Sequence, residues 1–252
     1  MDLEAEIRTA TDAARTAGRL LREYFEKGEV TTRSKAVRQD VVTQADLESE
    51  AAIVGQLQDA WPEDGFLAEE SGRSVGSSSR VWCVDPLDGT ANFAAGYPHW
   101  SVAIALLEQE VPVLAVTFDP LRDEIFVAQE NKQPTLPADA AGIRALTRVE
   151  DALVADNRPY EHREPEHRLE MLFRRSRGRR ESGSMALDFA WLAAGRLDVM
   201  SYERSERLWD YIGGELMATE AGAEVRIADQ DFNVAVAACP ELTEFLCAPG
   251  DE

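Results

Sequence analysis

The chain has 252 residues, enough for one sizeable domain of two lobes. Its formal net charge of −21 works against non-specific nucleic-acid binding, which needs a positive footprint. No stretch approaches the about 20 apolar residues of a membrane span, and Cys83, Cys239 and Cys247 are too few and scattered for a disulfide framework or a zinc site. The acidic start Met1-Asp2-Leu3-Glu4-Ala5-Glu6 is unlike a secretory signal, so a cytoplasmic protein with neither nucleic-acid nor membrane partners is expected. Lysine occurs only at Lys27, Lys35 and Lys132, and such an acidic, lysine-poor composition fits either a protein of concentrated salt or genomic bias toward arginine and aspartate.

In chain order, Ile7, Ala10, Ala14, Ala17 and Leu21 recur on one face and predict a helix over 3–26. A second helix is predicted over 46–60, ended by Trp61-Pro62. Gly65-Phe66-Leu67-Ala68 and Val81-Trp82-Cys83-Val84 read as strands that run into acids, separated by a flexible loop over 72–79. Strands near 100–107, 111–118 and 124–128 predict an antiparallel meander, and Pro134 to Gly142 reads as a boundary between lobes. Beyond it come a strand near 152–155, helices near 166–175 and 184–195, and a helix from Leu208 to Ala221. Strands near 223–227 and 233–238 and a short C-terminal helix complete the chain. Strands and helices in blocks, without strict alternation, indicate α+β layers.

Four places put carboxylates at the ends of predicted elements: Asp46, Glu69-Glu70, Asp85 with Asp88, and Asp210. In Asp85-Pro86-Leu87-Asp88-Gly89-Thr90 the proline shapes a turn, Gly89 permits close backbone approach, and Thr90 can start a helix whose free N–H groups suit a phosphate. Several carboxylates in one cavity repel unless protonated or metal-bound. Hard oxygen ligands without His or Cys select magnesium or manganese over zinc. Taken singly, an Asp-Gly or a Glu-Glu is more often a turn or a solvated face. An EF-hand fails because the loop lacks oxygen ligands at its alternating positions, and two residues between Asp85 and Asp88 do not match the Asp-x-Asp of haloacid dehalogenase-type phosphatases.

The ordered set resembles the inositol monophosphatase family. Asp85-Pro86-Leu87-Asp88-Gly89-Thr90-Ala91-Asn92-Phe93 is similar to its central motif, and Phe66 to Ser71 to its Glu-Glu-Ser segment. Leu208-Trp209-Asp210 through Thr219-Glu220-Ala221-Gly222 resembles its Trp-Asp helix, Val41 to Asp46 its early aspartate, and Gly183 to Ala186 and Ala194 to Asp198 weaker landmarks. The resemblance implies a five-layer α-β-α-β-α sandwich forming a single catalytic domain over 1–252, with lobes near 1–135 and 143–252, the second supplying Asp210. It implies a lithium-sensitive phosphoric monoester hydrolase with about two to three Mg²⁺ ions and a metal-activated water. Glu69, Asp85, the Leu87 carbonyl, Asp88 and Asp210 would bind metal, and Asp46 and Thr90 would activate the water. Gly89, Thr90, Asp88, Ser184 and Glu203 would bind an inositol monophosphate-like substrate, and the chain would form a homodimer.

Gln129 to Pro134 is shorter than the family's glycine-rich hairpin, and Ala221-Gly222-Ala223 lacks a second glycine. These departures bear on loop shape and substrate choice and touch no metal position. Related phosphatases of histidinol phosphate, fructose bisphosphate or phosphoadenosine phosphate are the alternatives within the class; a non-catalytic regulator retaining the fold is the alternative outside it. Arg174 to Arg180 is expected to pair with nearby acids, and His99 to pack.

Overall fold

The first helix, α1 (Glu4–Lys27), buries an alanine-rich stripe of Ala10, Ala13, Ala14, Ala17 and Leu21, and Gly28 in the left-handed region closes it by donating to the Tyr24 and Phe25 carbonyls. This computed structural model describes residues 2–28, 32–34, 41–146, 148–157, 167–227 and 233–236. The predicted C-terminal helix and Cys239, Cys247 and His162 lie outside them.

A short hairpin of β1 (Thr32–Ser34) and β2 (Val41–Thr43) leads into α2 (Gln44–Ala60). Then follow β3 (Gly65–Ala68), β4 (Gly72–Ser74), β5 (Arg80–Asp88), α3 (Thr90–Ala94), β6 (Ser101–Glu108), β7 (Val111–Asp119) and β8 (Glu124–Gln129). The later part holds β9 (Leu153–Asp156), α4 (His167–Arg175), β10 (Gly178–Arg180), α5 (Met185–Ala193), β11 (Val199–Tyr202), α6 (Leu208–Glu220), β12 (Glu224–Ile227) and β13 (Asn233–Val236).

Six strands in the order β4-β3-β5-β6-β7-β8 form one sheet, with β3 and β5 parallel and the meander antiparallel. Five strands in the order β10-β9-β11-β13-β12 form the other. The helices α1 and α2 pack together on the first sheet; α5 and α6 pack together between the sheets; α4 lies against β10. The result is an α+β sandwich of five layers. The main core joins α1 and α2 to Trp82, Val84, Leu106, Leu114 and Val116 of the first sheet, and a second joins Phe189 of α5 and Tyr211 of α6 to Met200 and Tyr202 of β11.

The structure corrects the predicted loop over 72–79. Gly72–Ser74 is the edge strand β4, antiparallel to β3, and only the serine-rich stretch beyond it is irregular. Strands β10 and β11 are absent from the sequence expectations. The first is a three-residue, arginine-rich edge strand with no alternating pattern. The second is an apolar run of four residues. The stretch from Gln129 to Pro134 and the start of the predicted boundary region are both tied back: the Asn131 N–H donates to Glu220 at the end of α6, and Thr135 pairs with Val127.

Candidate active site

Thr43 caps α2, accepting from the Ala45 and Asp46 N–H groups, while the Asp46 carboxylate accepts from the Thr43 N–H at 2.9 Å. This reciprocal box aims the fully buried Asp46. Its second oxygen faces the Thr90 hydroxyl at 3.0 Å, and that hydroxyl also lies 3.0 Å from the Leu87 carbonyl. With one hydrogen and two acceptors, Thr90 can donate to only one at a time. Burial pushes the Asp46 carboxyl above its usual range, against the bonds from Thr43 and Thr90, and Glu70 adds to the rise.

The strand β5 ends in a bulge. Asp85 pairs with Ala103 and Asp88 with Ser101, so one residue more separates the acids than separates their partners. Pro86 has no N–H to continue the ladder, and the Leu87 N–H turns back onto the Asp85 carboxylate at 3.0 Å. Parallel pairing of Ala68 with Val84 sets Glu69, the next residue, beside Asp85. Burial raises the Asp85 carboxyl well above the usual range, and the charges of Glu69, Asp88 and Asp210 raise it further. Asp210 reaches this group from the first turn of α6.

Asp88 is differently placed. Its carboxylate accepts from the hydroxyls of Ser101 and Ser184 and from the Met185, Ala186 and Leu187 N–H groups, so it caps α5. Burial raises it, and these bonds pull the other way. Gly89 follows at φ 93°, where an added Cβ would stand 3.1 Å from the Gly183 carbonyl and 3.2 Å from the His99 carbonyl. Asn92 donates to the His99 and Ser182 carbonyls, both at 2.7 Å, tying this loop to the segment before α5.

The structure thus brings Asp46, the Leu87 carbonyl and Thr90 together, gathers Glu69, Asp88 and Asp210 around Asp85, and joins Ser184 to Asp88. Glu203, half-buried, follows β11 at the start of the segment leading to Asp210. Among the described residues no three His, Cys, Asp or Glu side chains converge at ligand distance. Most of the donors to Asp88 converge on one carboxylate oxygen, and the other accepts the Met185 N–H. The donor set itself fits a hard divalent cation: mutually repelling oxygen groups, of which Asp85 and Asp88 are buried and Glu69 and Asp210 partly so, with a backbone carbonyl among them.

Two further residues of α2 bond to the loops that carry these acids. The Ser49 hydroxyl donates to the Pro86 carbonyl at 2.8 Å, and the Glu50 carboxylate accepts from the Glu70 and Ser71 N–H groups at 2.7 and 2.8 Å. Their spacing from Asp46 puts them on its helix face, but polar residues on an early helical turn usually signal solvent. Trp209 packs among Cys83, Ala105 and Leu107 beneath Asp210. His99 bonds Asp188 at 3.1 Å and lies edge-on to Trp191. In the arginine run, Arg174, Arg175, Arg177 and Arg179 pair with Glu170, Glu150, Asp151 and Asp156.

The sequence matches the model of the inositol monophosphatase family over residues 2–249. An inositol-1-monophosphatase of Caulobacter vibrioides is 37% identical over 229 residues, covering 87% of this chain and 88% of that protein. The Nus factor SuhB of Vibrio cholerae is 34% identical over 221 residues, covering 86% and 82%. The crystal structure of the extragenic suppressor protein suhB from Bartonella henselae superposes with a TM-score of 0.86 at 31% identity, covering 98% of this chain and all of that one.

Proposed function

The chain belongs to the inositol monophosphatase family, and from that premise we propose that it is a magnesium-dependent phosphatase of small, inositol phosphate-like monoesters. The observation that carries this reading is the gathering of Glu69, Asp88 and Asp210 around buried Asp85, beside the Asp46–Thr90 pair. Glu69, Asp85, the Leu87 carbonyl, Asp88 and Asp210 would hold about two to three Mg²⁺ ions, which when bound polarise phosphoryl oxygens and lower the pKa of water.

The protein's own groups supply the rest. Thr90 passes a proton from the attacking water toward Asp46, whose affinity for protons is raised by burial in the direction a general base needs. Gly89 leaves its backbone bare, so a phosphate oxygen can approach the Gly89 and Thr90 N–H groups. Ser184 holds Asp88, and Glu203 faces the alcohol part. Asp210 comes from the second of two lobes, near 1–135 and 143–252, and the working form is a cytoplasmic homodimer. Histidinol phosphate, fructose bisphosphate and phosphoadenosine phosphate remain the competing esters.

A panel of phosphate monoesters with phosphate detection tests this. Turnover is expected to need Mg²⁺, to stop in EDTA, to collapse in Asp85→Asn, and to fall roughly a hundredfold or more in Thr90→Ala. Turnover that survives EDTA, or stays near wild type in Asp85→Asn, removes the reading. The name Nus factor carried by the Vibrio cholerae relative favours a second, regulatory role. Complementation of that relative's loss by Asp85→Asn would separate the two, because binding a partner does not need the carboxylate that hydrolysis needs.

A further inference from the structure

Helix α2 turns one face inward, and along it run Asp46, Ser49, Glu50, Ile53 and Leu57, all buried. Ile53 and Leu57 sit in the hydrophobic core. Ser49 and Glu50 continue the same inward face, with relative exposures of 0% and 5%. A carboxylate so buried is costly unless its oxygens are bonded, and the bonds of this one run to the acidic loops.

Glu50 takes the N–H groups of two successive residues, Glu70 and Ser71, with charge-assisted bonds of 2.7 and 2.8 Å. The preceding N–H, that of Glu69, is held by the Val84 carbonyl of β5 at 3.2 Å. Three consecutive amides of the Glu69–Ser71 turn are thereby anchored, and the Glu69 side chain leaves from a fixed backbone. Ser49 acts on the other loop. Within the β5 bulge the sheet ladder is interrupted, and Pro86 offers only its carbonyl for bonding, which the Ser49 hydroxyl takes. Both anchors stand on the rigid helix whose capping box aims Asp46.

We infer that Ser49 and Glu50 are positioning residues that hold the Glu69 turn and the Asp85–Asp88 bulge at the separation metal binding requires. The inference rests on the metal-dependent reading of this site. The two residues touch no reacting atom; they act through the backbone of the loops that carry the ligands. Such outer partners typically govern metal affinity by about 10–100-fold.

The test is direct Mn²⁺ binding to the full chain, by calorimetry or electron paramagnetic resonance, with Ser49→Ala, Glu50→Gln, Asp85→Asn and Glu6→Gln. Glu50→Gln keeps the side-chain volume and loses one acceptor; Ser49→Ala removes one donor from a helix that alanine favours. Each is expected to weaken Mn²⁺ by about 10–100-fold and to raise the Mg²⁺ needed for half-maximal turnover more than it lowers kcat. Glu6, as buried as Glu50 but bonded to Arg80 away from the site, supplies the control: Glu6→Gln lowers the melting temperature and leaves Mn²⁺ binding unchanged. Mn²⁺ binding within about twofold of wild type in both Ser49→Ala and Glu50→Gln, even with a lowered melting temperature, overturns the inference. If Glu50→Gln does not fold, Ser49→Ala decides. Wild-type protein that binds no Mn²⁺ defeats the metal reading itself; binding that is lost in Asp85→Asn but kept in both α2 variants defeats this inference alone.

Discussion

Asp85 and Asp88 share one bulge, yet their surroundings differ in kind. Asp85 faces the charges of Glu69, Asp88 and Asp210 and receives the Leu87 N–H; Asp88 receives two hydroxyls and three N–H groups from Ser101 and the start of α5. With metal removed by EDTA, the two asparagine variants are expected to move stability in opposite directions. Asp85→Asn deletes a repelled charge and raises the melting temperature. A carboxyl whose folded-state pKa is raised lends stability below its unfolded value and loses it as pH rises through the folded one, so this gain is larger at pH 8 than at pH 5. Asp88→Asn leaves buried donors facing an amide N–H₂, costs about 1–3 kcal/mol, and lowers the melting temperature by several degrees. Calorimetry in EDTA decides it: a loss in both variants would mean that repulsion around Asp85 is not felt. Glu69 and Asp85 were legible in the sequence because an apolar strand stops at each, and Asp88 because it closes the Asp85-Pro86-Leu87-Asp88 turn. The division of roles between Asp85 and Asp88 was not, since most donors to Asp88 come from the start of α5, nearly a hundred positions away along the chain.

Helices and strands show the same split between local and distant information. The helix α1, the meander and α6 follow from periodicity and turn residues, and the structure has them within a residue or two of the expected limits. The strands β4 and β10 carry no pattern because edge strands of three residues gain their identity from the neighbour they pair with. Glycines within helices are equally silent until packing is known. An alanine Cβ at Gly214 of α6 would stand 2.2 Å from Phe189 Cδ2 and 2.8 Å from Phe189 Cβ, across the contact with α5. Gly55, exposed on α2, has nothing within 4 Å. Gly214→Ala is therefore expected to destabilise by about 1–3 kcal/mol through overpacking. The same change at Gly55 is expected to stabilise by roughly 0.5–1 kcal/mol through helix propensity. Thermal unfolding of the two variants checks this pair, and a stable Gly214→Ala would show that α5 and α6 can shift apart.

Across the molecule, the net charge of −21 is distributed unevenly between inside and outside. Arginines are drawn into partly buried pairs: Arg80 with Glu6 and Asp64, Arg196 with Glu124, Arg204 with Glu215, Arg179 with Asp156, and Arg144 with Asp198. The planar guanidinium can bond two oxygens at once, as Arg196 and Arg204 do. Each arginine so held cannot neutralise the outer surface, where like charges repel. The Debye length falls from about 10 Å at 0.1 M salt to about 3 Å at 1 M, which screens exposed charges and largely spares buried pairs. With Mg²⁺ present throughout, the melting temperature is expected to climb steadily between about 0.1 and 2 M KCl. A flat profile over that range would assign the acidity to composition bias and end the high-salt reading.

The residues themselves declared which elements form where hydrophobic period and turn chemistry are strong, and they declared the ordered acids of the candidate site, because both are properties of neighbouring positions. Folding in three dimensions alone placed Asp88 on the α5 terminus, set Glu69 beside Asp85 by strand register, and brought Ser49 and Glu50 of α2 under two separate loops. Those contacts join segments tens of residues apart. A hydrogen-bond partner reached across such a distance leaves no periodicity in the chain; only the packing of α2, β5 and α5 against one another selects it.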